Sequence, residues 1–185
     1  MLTFGLVVEG IYDEGALKQL IQKCAESQVF IIVRQSGNAP QLMKRFPGFL
    51  EDFRYANGGS NVDKAIVIRD ADGKDPAQLL NSMQGKVRGR TYPFPIRFAV
   101  IVQELEAWLL ADEQAISGVT GKKQPSIGAP ESLLHPKEKL RAVLSDAGVV
   151  YTAPVAEKIA ADARVDTIAS RCSSFQRFRE AVVDC

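Results

Sequence analysis

A chain of 185 residues with 46% hydrophobic content is long enough for one packed domain, or for one domain with a sizeable extension. Its formal net charge of +1 excludes a uniformly basic nucleic-acid binder and leaves room only for a local basic patch. Three separated cysteines (Cys24, Cys172 and Cys185) form no Cys-x-x-Cys pair, which excludes a zinc cluster and points to a reducing compartment, while a single histidine, His135, excludes multi-histidine metal sites.

Leu2–Val8 reads as an apolar strand ending at Glu9-Gly10. It is too short for a secretory leader, and no apolar run approaches membrane-spanning length, so a cytoplasmic protein without a membrane partner is expected. Asp13 is a natural cap for a helix whose Ala16, Leu17, Leu20 and Ile21 share one face. Val29–Val33 is a second strand, and Ser36-Gly37-Asn38 is a loop. Leu42 to Phe53 reads as a helix with a break near Pro47-Gly48. After the Asn57-Gly58-Gly59-Ser60 loop, Ala65–Arg69 is the third strand, followed by a helix through Leu79, Leu80 and Met83. The fourth strand, Ile96–Val102, runs into Gln103-Glu104-Leu105-Glu106 and an apolar helix starting Ala107-Trp108-Leu109-Leu110.

This alternation predicts an α/β fold with a mainly parallel central sheet of about four strands flanked by helices, over residues 1–117. Gly118–Pro130 is rich in Gly, Pro and Lys, so residues 118–135 are expected to form a mobile loop. Beyond it Pro136–Ala147, Pro154–Ala163 and Phe175–Val183 read as three helices. They give a helical C-terminal extension, residues 136–185, packed on the core.

The chemistry concentrates at strand ends. Ile66-Val67-Ile68 is a buried β-branched run that ends abruptly in Asp70 and Asp72, with Gly73 to turn the chain and Pro76 to open a helix. Residues two apart on an extended segment face one side, so both carboxylates can meet a single cation, and hard oxygen ligands suit Mg²⁺ or Mn²⁺. Capping of the following helix by Asp70 or Asp72 is the plainer alternative. Glu9 follows the first strand and Glu104, with Glu106, follows the fourth. In a parallel sheet these ends share one edge, where open α/β folds bind ligands. Gly10 beside Glu9 would allow a phosphate or backbone to approach closely.

Val8-Glu9-Gly10 with Asp13, together with Ile68-Arg69-Asp70-Ala71-Asp72, resembles the Toprim domain of topoisomerases, primases and OLD-type nucleases, and the Glu-x-x-x-Asp spacing resembles the OLD-type branch. Glu104–Asp112 and Cys172-Ser-Ser-Phe175 resemble an uncharacterised bacterial Toprim-related family of unknown function, whose members are described as accessories of ATPases in genome defence. The resemblance implies Mg²⁺- or Mn²⁺-dependent chemistry at nucleic-acid phosphodiesters. Glu9 would be the general acid/base, Asp70, Asp72, Asp13 and Glu104 the metal ligands, and Gly10 and Lys74 the substrate contacts, with Lys158 as another candidate for the basic residue. Two other readings compete. Asp70-Ala71-Asp72-Gly73 also resembles the nucleophile motif of haloacid-dehalogenase-like phosphatases, although it follows the third strand instead of the first. A non-catalytic module regulating an ATPase partner would use Trp108, Leu109 and Leu110 as its face, unless that apolar stripe is core. Near the C-terminus Arg171, Arg177 and Arg179 lie with Phe175 and Phe178, a basic-aromatic cluster that can grip phosphates and bases or form one buried and one solvated helix face.

Overall fold

The structure, a computed structural model, describes residues 1–184; Cys185 lies outside the described residues. The strands are β1 (Leu2–Val8), β2 (Val29–Gln35), β3 (Lys64–Asp70) and β4 (Ile96–Ile101). They form one sheet in the order β2-β1-β3-β4, parallel at every pairing. Leu6 stands between Val33 and Ile66, which fixes the register of the two central strands. The crossovers are α1 (Ile11–Cys24), α2 (Ala39–Asp52) and α3 (Pro76–Val87). After β4 come α4 (Glu106–Leu110), α5 (Glu113–Thr120), a 3-10 turn at Pro130–Ser132, α6 (Pro136–Ser145), α7 (Ala153–Asp162), α8 (Val165–Arg171) and α9 (Ser173–Val183).

Strand alternation divides the core into two layers. Phe4, Leu6 and Val8 of β1 face α1 and the C-terminal helices, in one cluster with Leu17, Trp108, Leu140, Ile159, Phe175 and Phe178. Val7 faces the opposite way, with Phe46, Leu50 and Phe53 of the α2 layer and Met83 of α3. Gly5 points to that second layer, where the Phe53 ring lies so close that an added Cβ would stand 2.5 Å from it. The helices after α4 thus complete one face of the sheet. Trp108 anchors them: its ring meets Phe175 edge-on at 5.0 Å, and its indole N–H donates to Ser174 Oγ at 2.8 Å.

Several expectations need correction. The α2 helix runs through Pro47 without a break, because Leu42, Phe46 and Leu50 bury its inner face and outweigh the lost hydrogen bond. Gly118 lies inside α5, and Gly121 ends that helix in a left-handed turn (φ 66°). Four helices follow instead of three, the addition being α8. Trp108, Leu109 and Leu110 are at most 1% exposed, so they form core and present no face to a partner. Among the described residues, no helix is long and apolar enough to cross a membrane.

Candidate functional site

The parallel sheet carries Glu9, Asp70 and the β4–α4 loop to the same edge. A Glu9 carboxylate oxygen accepts a hydrogen bond from the Asp70 backbone N–H at 3.3 Å and stands 3.8 Å from Nε of Arg69, whose side chain is 4% exposed. Asp13 does not occupy the cap position expected for it. Gly10 caps α1, and Asp13, one turn in, accepts from the Gly10 N–H at 3.0 Å. That bond commits the Gly10 amide to Asp13, although a Cβ there would meet only Asp13 Oδ2, at 3.7 Å. The plainer alternative for the β3 pair fails too: the cap of α3 is Asp75, which accepts from Ala77 and Gln78 N–H at 2.8 and 3.3 Å.

Asp72 (φ 48°) and Gln103 (φ 65°) are non-glycine residues in the left-handed region, and they face each other across this edge. The Asp72 N–H donates to the Gln103 carbonyl at 3.0 Å, and Ala71 N–H to that of Ile101 at 2.9 Å. Side chains in this region are strained, and such strain clusters at functional sites.

The carboxylates repel one another where water is scarce. Burial, and then the charges of Asp13, Glu9, Glu106 and Asp72, hold the Asp70 carboxyl well above the usual range. Glu9 is pushed up to about 7, chiefly by burial, with Arg69 opposing. Asp13 rises to about 6, again by burial, with the Gly10 N–H opposing and Glu106 adding to the rise. Between Glu9, Asp13 and Asp70 lies a void of about 10 Å³, room for one water-sized occupant. A separate open cleft of about 330 Å³ is lined by Asp72, Gly73, Gln103, Glu104, Leu134 and His135. Among the described residues, no three acidic, cysteine or histidine side chains are gathered tightly enough to hold a metal ion as they stand.

The two glutamates after β4 divide their work. Glu104 accepts from the Lys137 backbone N–H at 3.0 Å and so ties the first turn of α6 to the edge. Glu106, 4% exposed, is the one whose charge acts on both Asp13 and Asp70. Its carboxylate accepts from Tyr151 Oη–H at 2.8 Å and lies 3.5 Å from Lys137 Nζ. Lys137 also lies 5.4 Å from the ring centre of Tyr12, which stacks on Tyr151. Sequence reasoning missed Lys137 and Tyr151; a lysine next to a helix-opening proline was the available signal for the first. Lys74 is exposed in the loop after β3, and Lys158 pairs with Asp162 on α7 at 3.0 Å.

The C-terminal aromatic residues are core and offer no exposed ring for a base to stack on. Phe175 and Phe178 are buried, Arg171 pairs with Glu113 at 2.6 Å and Arg179 with Asp166 at 2.7 Å, which leaves Arg177 exposed.

No curated protein matches this chain. The crystal structure of hypothetical protein PH0156 from Pyrococcus horikoshii OT3 is similar to it at 16% identity and a TM-score of 0.48, over 100% of this chain and 96% of that one. A family of unknown function, DUF4276, matches residues 8–182, from the end of β1 to the last turn of α9, and the chain belongs to it.

Proposed function

We propose that the chain is a Toprim-like protein that acts on nucleic-acid phosphodiesters with Mg²⁺ or Mn²⁺, as an accessory of an ATPase partner in genome defence. One observation carries this reading: Glu9, Asp13, Asp70, Asp72 and buried Glu106 act on one another at the carboxyl edge of a parallel sheet. Such a set has a deficit of positive charge. The donor chemistry fits a hard cation, and Mg²⁺ is commonly held by one or two carboxylates, waters and substrate phosphates, so a preformed protein cage is not required.

In this reading Asp70 and Asp72 hold the ion and Asp13 supports them. The bound ion would neutralise phosphate charge and orient the attacking and leaving oxygens. Glu9, with a carboxyl near neutrality, can take up and return a proton at working pH. Arg69 favours the ionised form of Glu9 and so holds back the rise that burial imposes, and Lys137 supplies a cation 3.5 Å from Glu106. Glu104 holds α6 in place instead of serving as a ligand. The cleft beside Asp72 is the entry for substrate.

The test is Mn²⁺ titration by calorimetry, with cleavage of single- and double-stranded nucleic acid in Mn²⁺, with and without the partner. Wild type should bind Mn²⁺ weakly, Asp70→Asn/Asp72→Asn should lose that binding, and Glu9→Gln should keep the fold and lose cleavage. Equal Mn²⁺ binding by the double variant would overturn the site.

A further inference from the structure

The two edges of the sheet are finished differently. The β4 edge is flanked by α3 and α9, which leave a cavity of about 350 Å³ along Phe98, Ala99 and Val100, and Ser174 Oγ accepts from the Val102 N–H at 3.3 Å just beyond the strand. The β2 edge is flanked more sparsely, with α1 beside it. Its seven residues, Val-Phe-Ile-Ile-Val-Arg-Gln, contain no proline and one charge, and Phe30 is 53% exposed. Long apolar edges of this kind template pairing with another strand.

The ladder fixes which groups are on offer. Ser36 N–H donates to the Val8 carbonyl, and Leu6 is paired with Val33. In a parallel ladder this turns the N–H and C=O of residues 30, 32 and 34 toward β1 and those of 29, 31, 33 and 35 outward. Two side chains touch the outward groups: Gln22 accepts from the Val29 N–H at 3.3 Å, and the Arg34 guanidinium donates to the Val33 carbonyl at 3.1 Å. Both are surface side chains, and a carbonyl has a second lone pair to offer.

We infer that the β2 edge pairs antiparallel with β2 of a second copy of this chain, about a two-fold axis through Ile32. Only this register overlaps all seven residues and pairs every outward residue with another: 31 with 33, and 29 with 35. It also sets Phe30 of each copy opposite Arg34 of the other. The Arg34 guanidinium already lies 5.7 Å from the Phe53 ring centre, so the second copy's Phe30 adds an aromatic contact to a cation that has one. On the other face, a concavity of about 290 Å³ lined by Lys18, Gln19, Gln22, Val29 and Ile31 leaves room for the incoming Val33 side chain. The strands run oppositely across the axis, so the two acidic edges point to opposite ends of one continuous sheet. The pairing does not rest on the proposed chemistry.

Sedimentation equilibrium and a register-specific cross-link test it. Wild type should have twice the 20.2 kDa chain mass. Phe30→Asp, at an exposed position, should halve that mass with an unchanged circular dichroism spectrum. Ile31→Pro should do the same, since the N–H it removes is not used within the chain. In a Cys185→Ser background, Ile32→Cys should oxidise to a covalent dimer, because facing residues of a non-hydrogen-bonded antiparallel pair stand about 4.5 Å apart at Cα, within disulfide reach. A monomeric wild type overturns the pairing. A dimer unaffected by Phe30→Asp, or an Ile32→Cys dimer that does not cross-link, overturns it as well.

Discussion

Replacing Glu9 by glutamine removes a charge that the fold disfavours and keeps an oxygen to accept the Asp70 N–H. The wild-type carboxyl is raised from 4.5 to about 7, so the folded state holds this proton more tightly than the unfolded chain does. Stability from this group is therefore fully present below the unfolded value and declines as pH rises through the folded value. A displacement of that size corresponds to a ceiling of about 3 kcal/mol, and the water still reaching the side chain, 16% exposed, brings the expected effect to about 1–3 kcal/mol. Glu9→Gln should thus stabilise the metal-free protein by about 1–3 kcal/mol at about pH 8, and the gain should fade toward zero at about pH 4. Urea denaturation across that range measures it, as a shift in midpoint at constant slope. A gain that does not vary with pH, or a loss of stability at about pH 8, would refute the account of Glu9 as a strained charge.

Three further outcomes follow from the packing. Gly5→Ala drives a methyl group into the Phe53 ring and should cost about 1–3 kcal/mol in thermal or urea unfolding. Asp72→Gly relieves the left-handed backbone and should raise stability by about 1 kcal/mol in the same assay, while losing the Mn²⁺ response of wild type. Arg164→Ala removes the guanidinium that meets Asp112, whose side chain is 1% exposed, and should lower the thermal or urea midpoint, while the Gln114 and Arg164 N–H bonds to that carboxylate remain and limit the loss.

The strands and their order along the chain were legible because each is an apolar run closed by turn residues, as Ile66–Ile68 is by Asp72-Gly73. Helix α8 was not legible, since seven residues anchored by buried Ile168 carry too little periodicity to announce themselves. The acidic edge could be expected from topology alone, because parallel strands bring their ends together. The roles within it could not. Glu104 and Glu106 differ by two positions, and only the packing of α6 and Tyr151 decides that the first caps a helix while the second turns to Asp13 and Asp70. Lys137 reaches the site from over 30 residues away in sequence, a separation that spacing within a motif cannot encode.

The layer that covers Leu6 and Ile66 is shared between α1, the α4–α5 segment and residues from 140 onward, and the Lys64 ammonium on β3 donates to the carbonyls of Ala181 and Val182 at 3.3 and 2.9 Å and to that of Asp184. This has a consequence for synthesis on the ribosome. Strands one to four can emerge and pair with α1 packed on them, but that face of the sheet stays only partly covered until Phe175, Phe178 and Val182 have left the exit tunnel. The nascent chain must therefore carry part of an apolar surface from the emergence of β4 until α9 follows it, the interval in which partly folded proteins aggregate and chaperones engage them. Stalling before α9 should trap a chaperone-bound chain, and releasing those last helical turns should discharge it.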